Sequence, residues 1–113
     1  MLICGLPRAG KTTYSKRYEC NVIHLDNYGN FGIVRDKVSK IDGDVVVEGC
    51  YTHAQQRMSL LASYKGNGKR CIWIDVPQEI REQREGWRES MGKMHFEPPT
   101  YAEGWDEIEV IHG

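Results

Sequence analysis

The chain has 113 residues, a formal net charge of −1 and 40 % hydrophobic residues, enough for one domain that buries about 60–70 % of its unfolded surface. That balance excludes a global basic field for nucleic acid, and no apolar run approaches the roughly 20 residues of a membrane helix. Cys4, Cys20, Cys50 and Cys71 form no C-x-x-C pair and share no ligand spacing with His24, His53, His95 or His112, which argues against a zinc site and for free thiols in a reducing cytoplasm.

Met1-Leu-Ile-Cys4 is an apolar run fit for a buried strand. A strand expected at Met1 leaves no targeting peptide before it, so the expectation is a soluble, cytoplasmic protein. Next comes Gly5-Leu6-Pro7-Arg8-Ala9-Gly10-Lys11-Thr12, which reads G-x-x-x-x-G-K-T, the P-loop or Walker A pattern. Its glycines let the backbone turn tightly and aim N–H groups at one cluster of phosphate oxygens. Lys11 adds positive charge at the β- and γ-phosphates, and the Thr12 hydroxyl is a ligand for Mg2+. Residues 12–18 contain neither Gly nor Pro, so a helix follows and Thr13 joins the nucleotide-contacting set. The alternative is a glycine turn before a surface helix; strand, loop and helix in that order favour the motif.

The remaining elements alternate. Asn21-Val-Ile-His-Leu25 reads as the second strand and residues 33–40 as a helix ending before Asp42-Gly43. Val45-Val46-Val47 is a third strand, its β-branched run suited to burial on both faces. Thr52-His-Ala-Gln55 forms a capping box with Thr52 as N-cap. The helix it opens carries Met58, Leu61 and Ala62 as an apolar stripe and stops before Gly66-Asn67-Gly68. Cys71-Ile-Trp-Ile-Asp-Val76 is the fourth strand, with Trp73 in the core. Residues 78–89 read as a charged helix, Pro98-Pro99 bars helix, Thr100-Tyr-Ala-Glu103 opens one short turn, and Ile108-Glu-Val-Ile111 is the fifth strand. The alternation predicts an α/β P-loop NTPase fold, a single domain whose five-stranded, mainly parallel sheet is flanked by helices, with residues 78–95 as a small Arg-bearing lid.

In such sheets ligands sit beyond the carboxyl ends of the strands, so residues there carry the functional reading. Asp26 follows the second strand. It either orients an attacking hydroxyl in line with a γ-phosphate or caps the loop before Gly29. Glu48 follows the third strand, either holding a Mg2+-bound water or contacting the acceptor, or standing as an ordinary strand-end acid. Arg81, Arg84 and Arg88 fall on one helical stripe and offer charge to a transferring phosphoryl group, although Glu82, Glu85 and Glu89 interleave with them as a salt-bridged face would. Arg57 is a further acceptor-site candidate. Cys50 has no evident base near it in sequence and is set aside as a nucleophile. Residues 1–40 hold seven Lys and Arg against three Asp and Glu, and residues 41–113 hold eight against thirteen, so positive charge gathers on the P-loop side.

Together these residues resemble the P-loop polynucleotide kinases, within the wider group of zeta-toxin-like and other small ATP-binding kinases. The narrower likeness is Phe96-Glu-Pro-Pro-Thr100-Tyr-Ala-Glu-Gly-Trp105-Asp-Glu-Ile108, which is similar to the F-x-x-P-T-x-x-E-G-F segment before the last strand in the kinase domains of polynucleotide kinase/phosphatase enzymes. The resemblance implies transfer of the ATP γ-phosphate to a 5′-hydroxyl of DNA or RNA with Mg2+. Lys11 and Thr12 would hold ATP and metal, Asp26 would be the general base and Glu48 the acid after strand three. Arg84 would be the lid arginine, with Arg88 beside it at the nucleotide. The family's arginine three residues after the base is Gly29 here, and Arg35 is the candidate to replace it at the acceptor.

The departure at Gly29 and the short chain keep two alternatives open. One is a kinase of a nucleoside, nucleotide or sugar nucleotide, and the other is a nucleotide-binding module without catalysis. The expected partners are a nucleic acid 5′ end or a small-molecule acceptor, with no membrane. A second copy of the chain could cover exposed sheet or lid surface in a homodimer.

Overall fold

The computed structural model describes residues 1–18 and 21–112; Cys20 lies outside the described residues. Strand β1 (Leu2–Cys4) is central in a five-stranded sheet whose order is β2-β3-β1-β4-β5. The others are β2 (Val22–His24), β3 (Val46–Glu48), β4 (Arg70–Asp75) and β5 (Glu107–His112). Every pairing is parallel, with Leu2 opposite both Val47 and Cys71, Val22 opposite Val46, and Cys71 opposite Ile108. This is the α/β sheet flanked by helices expected of a P-loop NTPase.

Strand alternation sorts the core into two layers. Leu2, Cys4, Val47 and Cys71 point to one face, where helices α2 (Phe31–Ser39) and α3 (Ala54–Ser63) bring Val34, Val38, Leu60 and Leu61. Ile3, Val46, Ile72 and Ile74 point to the other, where Tyr14 and Tyr18, in and after helix α1 (Lys11–Ser15), pack with Ala9. Burial on both faces explains why β1 and β3 are short, continuous apolar runs rather than alternating ones. It also fixes register, since a one-residue slip would exchange the two layers.

Adjacent strands β1 and β3 therefore feed helices to opposite faces. Their loops diverge at the carboxyl ends, and a crevice opens between them.

Several boundaries differ from those expected. The third helix is capped by His53, with Gln56 reaching back to the His53 N–H at 3.1 Å. The capping box thus sits one residue later than Thr52-Gln55. The inward face of the helix carries Arg57, Leu60 and Leu61, and Met58 is 47 % exposed. Helix α2 begins at Phe31 because the Asn30 side chain accepts from the N–H groups of Gly32 (2.7 Å) and Ile33 (3.2 Å). The lid is not one helix. Helix α4 spans only Gln78–Arg81, a 3-10 segment covers Glu89–Lys93, and Gly86 between them has φ 85°. Trp73 is half-buried and stacks on Phe96 at 5.1 Å. Among the described residues, no helix is long and apolar enough to cross a membrane.

Candidate functional site

The loop after β1 holds its shape through glycines that cannot be replaced in kind. A Cβ on Gly5 (φ 154°) would lie 2.6 Å from the Ile74 carbonyl oxygen, so only glycine lets the loop approach β4 this closely. Gly10 (φ 103°) is the left-handed residue that starts α1, and Arg8 also has positive φ, 66°. Left-handed residues alternating with an ordinary one, Arg8 and Gly10 on either side of Ala9, curl the backbone so that its amides converge on a concave face, which suits an anion. The Lys11 side chain is 8 % exposed and donates to the Leu6 carbonyl at 2.9 Å, so its ammonium lies across the loop.

Beside the loop, the Thr12 hydroxyl donates to Glu48 Oε1 at 3.2 Å. Glu48 is the last residue of β3 rather than the first beyond it, and it is 3 % exposed. The same oxygen lies 2.8 Å from His24 Nδ1. A carboxylate only accepts, so that nitrogen carries the proton. His24 and Glu48 end neighbouring strands in direct register. Sequence reasoning weighed His24 only as a zinc ligand, although the paired strand ends were the signal that joins it to Glu48. A hydroxyl and a carboxylate this close are the hard oxygen donors that Mg2+ takes, usually with several waters retained. The residues present therefore fit a nucleotide triphosphate and Mg2+: Gly5 to Thr13 for the phosphates, Thr12 and Glu48 for the metal.

Asp26 sits in a 3-10 turn (Leu25–Asn27) just beyond β2, with its side chain exposed. It lines the same cleft as the loop, Glu48 and Cys50, a space of about 1040 Å3. Burial, the largest influence, pushes the Cys50 thiol above its ordinary value, while Lys11 pulls it down. The net rise keeps it a thiol rather than a nucleophilic thiolate.

The far wall of the cleft comes from the lid. Arg84 and Arg88 both line it, although the helix that was expected to align them ends at Arg81. Arg84 Nη1 donates to the Arg8 carbonyl at 2.5 Å and stands where Gly10 offers no side chain. A Cβ on Gly86 would strike the Arg8 guanidinium, so the lid rests directly on the glycine loop. Arg81 is spent differently. It is 4 % exposed, donates to the carbonyls of Val76 (3.0 Å) and Pro7 (3.2 Å), and lies over the Trp87 ring. It braces the loop from below and does not line the cleft.

Two expected acceptor residues lie elsewhere. Arg57 is fully buried, with Nε and Nη2 donating to Glu103 at 2.8 Å and 3.0 Å and Nη1 to the Tyr51 carbonyl at 2.8 Å. These buried partners hold it in the core, which corrects its expected acceptor role. Burial alone would push the Glu103 carboxyl up, but hydrogen bonds from Arg57, Trp105 and the Thr100 N–H hold it below its ordinary value. Residues 96–105 thus wrap around Arg57, with Phe96 over its guanidinium at 5.4 Å. Arg35 lies on the exposed surface of α2, donating to Ser59 Oγ at 3.0 Å, and lines a neighbouring groove rather than the cleft.

No family model matches the chain, and no curated protein matches it. Among solved structures, one described as the crystal structure of APE1195 is similar in fold, with a TM-score of 0.57 over 96 % of this chain and 81 % of that one at 16 % identity.

Proposed function

We propose that this chain is an ATP-dependent P-loop kinase that moves the γ-phosphate to a 5′-hydroxyl of DNA or RNA. The observation that carries the reading is the single cleft that gathers the Gly5–Thr12 loop, Glu48, Asp26, Arg84 and Arg88. Phosphoryl transfer passes through a loose transition state, so catalysis is mostly positioning and charge stabilisation. The loop amides and Lys11 bind the β- and γ-phosphates. Thr12 and Glu48 hold the metal, and Mg2+ when bound neutralises charge on the phosphate oxygens. Asp26, exposed to the cleft, accepts a hydrogen bond from the acceptor hydroxyl, aligns it and takes its proton as the bond to phosphorus forms. Arg84 already reaches the loop, and its guanidinium meets the charge spread over the transferring group.

One observation favours a second reading, a small-molecule kinase. Gly29 lines the cleft without a side chain where a grip on the acceptor's phosphate would be expected. Transfer of labelled γ-phosphate to 5′-hydroxyl oligonucleotides, set beside nucleosides and nucleotides, separates the two. The expected outcome is labelled oligonucleotide that disappears with Lys11→Ala. Label confined to small molecules would replace the first reading with the second, and a Lys11→Ala protein with undiminished transfer would overturn both.

A further inference from the structure

Strands β2 and β3 end side by side, and both side chains and backbone join them there. His24 and Glu48 are partners in register, so their side chains leave the sheet on the same face. His24 Nδ1 donates to Glu48 Oε1 at 2.8 Å. One residue on, Leu25 packs on Gly49, where a Cβ would come within 2.8 Å of Leu25 Cβ. The next residues, Asp26 and Cys50, both line the cleft, whereas His24 stands outside its lining.

The two oxygens of Glu48 are used unequally. Oε1 accepts from His24 at 2.8 Å and from the Thr12 hydroxyl at 3.2 Å. Oε2 accepts from no described residue. Among the described residues, the buried polar side-chain atoms left without a partner are Tyr51 Oη and Arg70 Nε. Oε2 is not one of them, so it is open to solvent, and the space that Glu48 lines is the cleft. A residue only 3 % exposed thus has one oxygen held by two donors and the other available to the cleft.

The last torsion of a glutamate is broad, so one donor alone would leave the carboxylate loosely set. Here the donors come from two different elements, α1 and β2, and fix Oε1 between them. Their duties differ. The Thr12 hydroxyl spends its proton on Glu48 and keeps its lone pairs for a cation. His24 serves Glu48 alone among the described residues. We propose that His24 is a positioning residue for the metal: by holding Glu48 Oε1 it keeps Oε2 presented to the Mg2+ of a bound nucleotide. The assignment rests on the nucleotide-and-metal part of the kinase reading and is independent of transfer to any acceptor.

The test reads binding before activity. The Kd of a non-hydrolysable ATP analogue is measured by calorimetry in Mg2+ and again in a chelator. His24→Phe keeps a flat ring and removes the donor. It should raise the Kd in Mg2+ about 10- to 100-fold, the usual loss when the partner of a metal-holding group is removed, and leave the Kd in chelator unmoved. His24→Asn, whose amide N–H stands where Nδ1 does, should recover most of that loss. Once Glu48→Ala has removed the carboxylate, His24→Phe should add nothing further. A purely structural pair would move both constants together, or lower the unfolding midpoint and move neither. Either result, or losses at His24 and Glu48 that simply add, would overturn the role.

Should His24→Phe fail to fold, the parent protein decides. With isotope-labelled histidine, the Nδ1–H signal of His24 should move further when Mg2+ joins the bound analogue, because the metal draws electron density from Glu48. A signal indifferent to Mg2+ would overturn the role. Transfer assays keep this outcome separate from the kinase reading. The expected binding pattern with no transfer to any hydroxyl would keep His24 in its role and overturn the kinase. Transfer whose Mg2+ requirement ignores His24→Phe would keep the kinase and overturn the role.

Discussion

Arg57 lies beneath the helices of one sheet face, with three of its nitrogens bonded to Glu103 and the Tyr51 carbonyl. Arg84 lies at the edge of the cleft, with one nitrogen on the Arg8 carbonyl. In sequence both read as cations near a phosphate site. The difference is where their counter-charges are. Glu103, 46 residues along the chain, neutralises Arg57 in the interior. The partners of Arg84 in the described structure leave its guanidinium open toward the cleft. The first arginine is a structural residue, the kinase reading proposed above gives the second a chemical role, and substitutions can separate the two.

The largest expected effect is Arg57→Met. It leaves a buried carboxylate without its partner, and breaking a buried ion pair from one side costs about 3–5 kcal/mol. Denaturant unfolding should show that loss as a lower midpoint. The double substitution Arg57→Met with Glu103→Leu should recover part of it, because the uncompensated charge is gone. A single variant as stable as the parent would contradict the structural role given to Arg57.

Arg84→Ala sharpens the contrast from the other side. Its unfolding free energy should stay within about 0.5 kcal/mol of the parent, as for other surface changes. Its kcat in γ-phosphate transfer should fall about 100- to 1000-fold, the usual loss for one preorganised donor at a transition state. Equal losses of stability and rate would remove the distinction drawn here.

These two arginines also mark what could be read from the chain. The place and turn of the Gly5–Thr12 loop were legible because its residues are contiguous. Glycine, lysine and threonine act at fixed offsets along one turn, and the sheet followed because buried parallel strands are written as short apolar runs. Arg57 was misread because its partner, Glu103, is supplied by tertiary packing. Residues 96–108 were singled out in sequence by their likeness to a kinase segment, not by any contact. Their Glu103 and Trp105 prove to be the enclosure of Arg57. The lid was expected as one helix because Arg84 and Arg88 share its spacing. The helix ends at Arg81 instead, and both side chains still reach the cleft. The His24–Glu48 contact depends on which strands are neighbours, and strand order is not written in local sequence.

Acid should act on Arg57's partner before it acts on Arg57. Glu103 is held below the 4.5 of a free glutamate, whereas Arg57 stays protonated throughout. The folded state therefore keeps Glu103 ionised where the unfolded chain would bind a proton. Its contribution is complete above about pH 4.5 and is lost as pH falls through the lower folded value. Unfolding curves measured downward from neutral pH should show a loss of stability in that window. Glu103→Gln should flatten that part of the profile, and an unchanged slope would mean that the pair does not set acid sensitivity.

The smallest effect concerns the turn that leads into α2. Asn30 accepts from the N–H groups of Gly32 and Ile33, and removing such a cap costs about 1 kcal/mol. Asn30→Ala should therefore lower stability by about that amount, and Asn30→Asp should retain it, since an aspartate caps equally well and complements the helix dipole. The change is small, but it falls next to Asp26 and Gly29, which wall the cleft. If the capped turn sets the position of that wall, Asn30→Ala should raise the acceptor KM while leaving the KM for ATP unchanged, because the phosphate loop is anchored separately by Gly5 against β4 and by Arg81 on the Pro7 carbonyl. A parallel rise in both constants would mean that the two halves of the cleft move as one body.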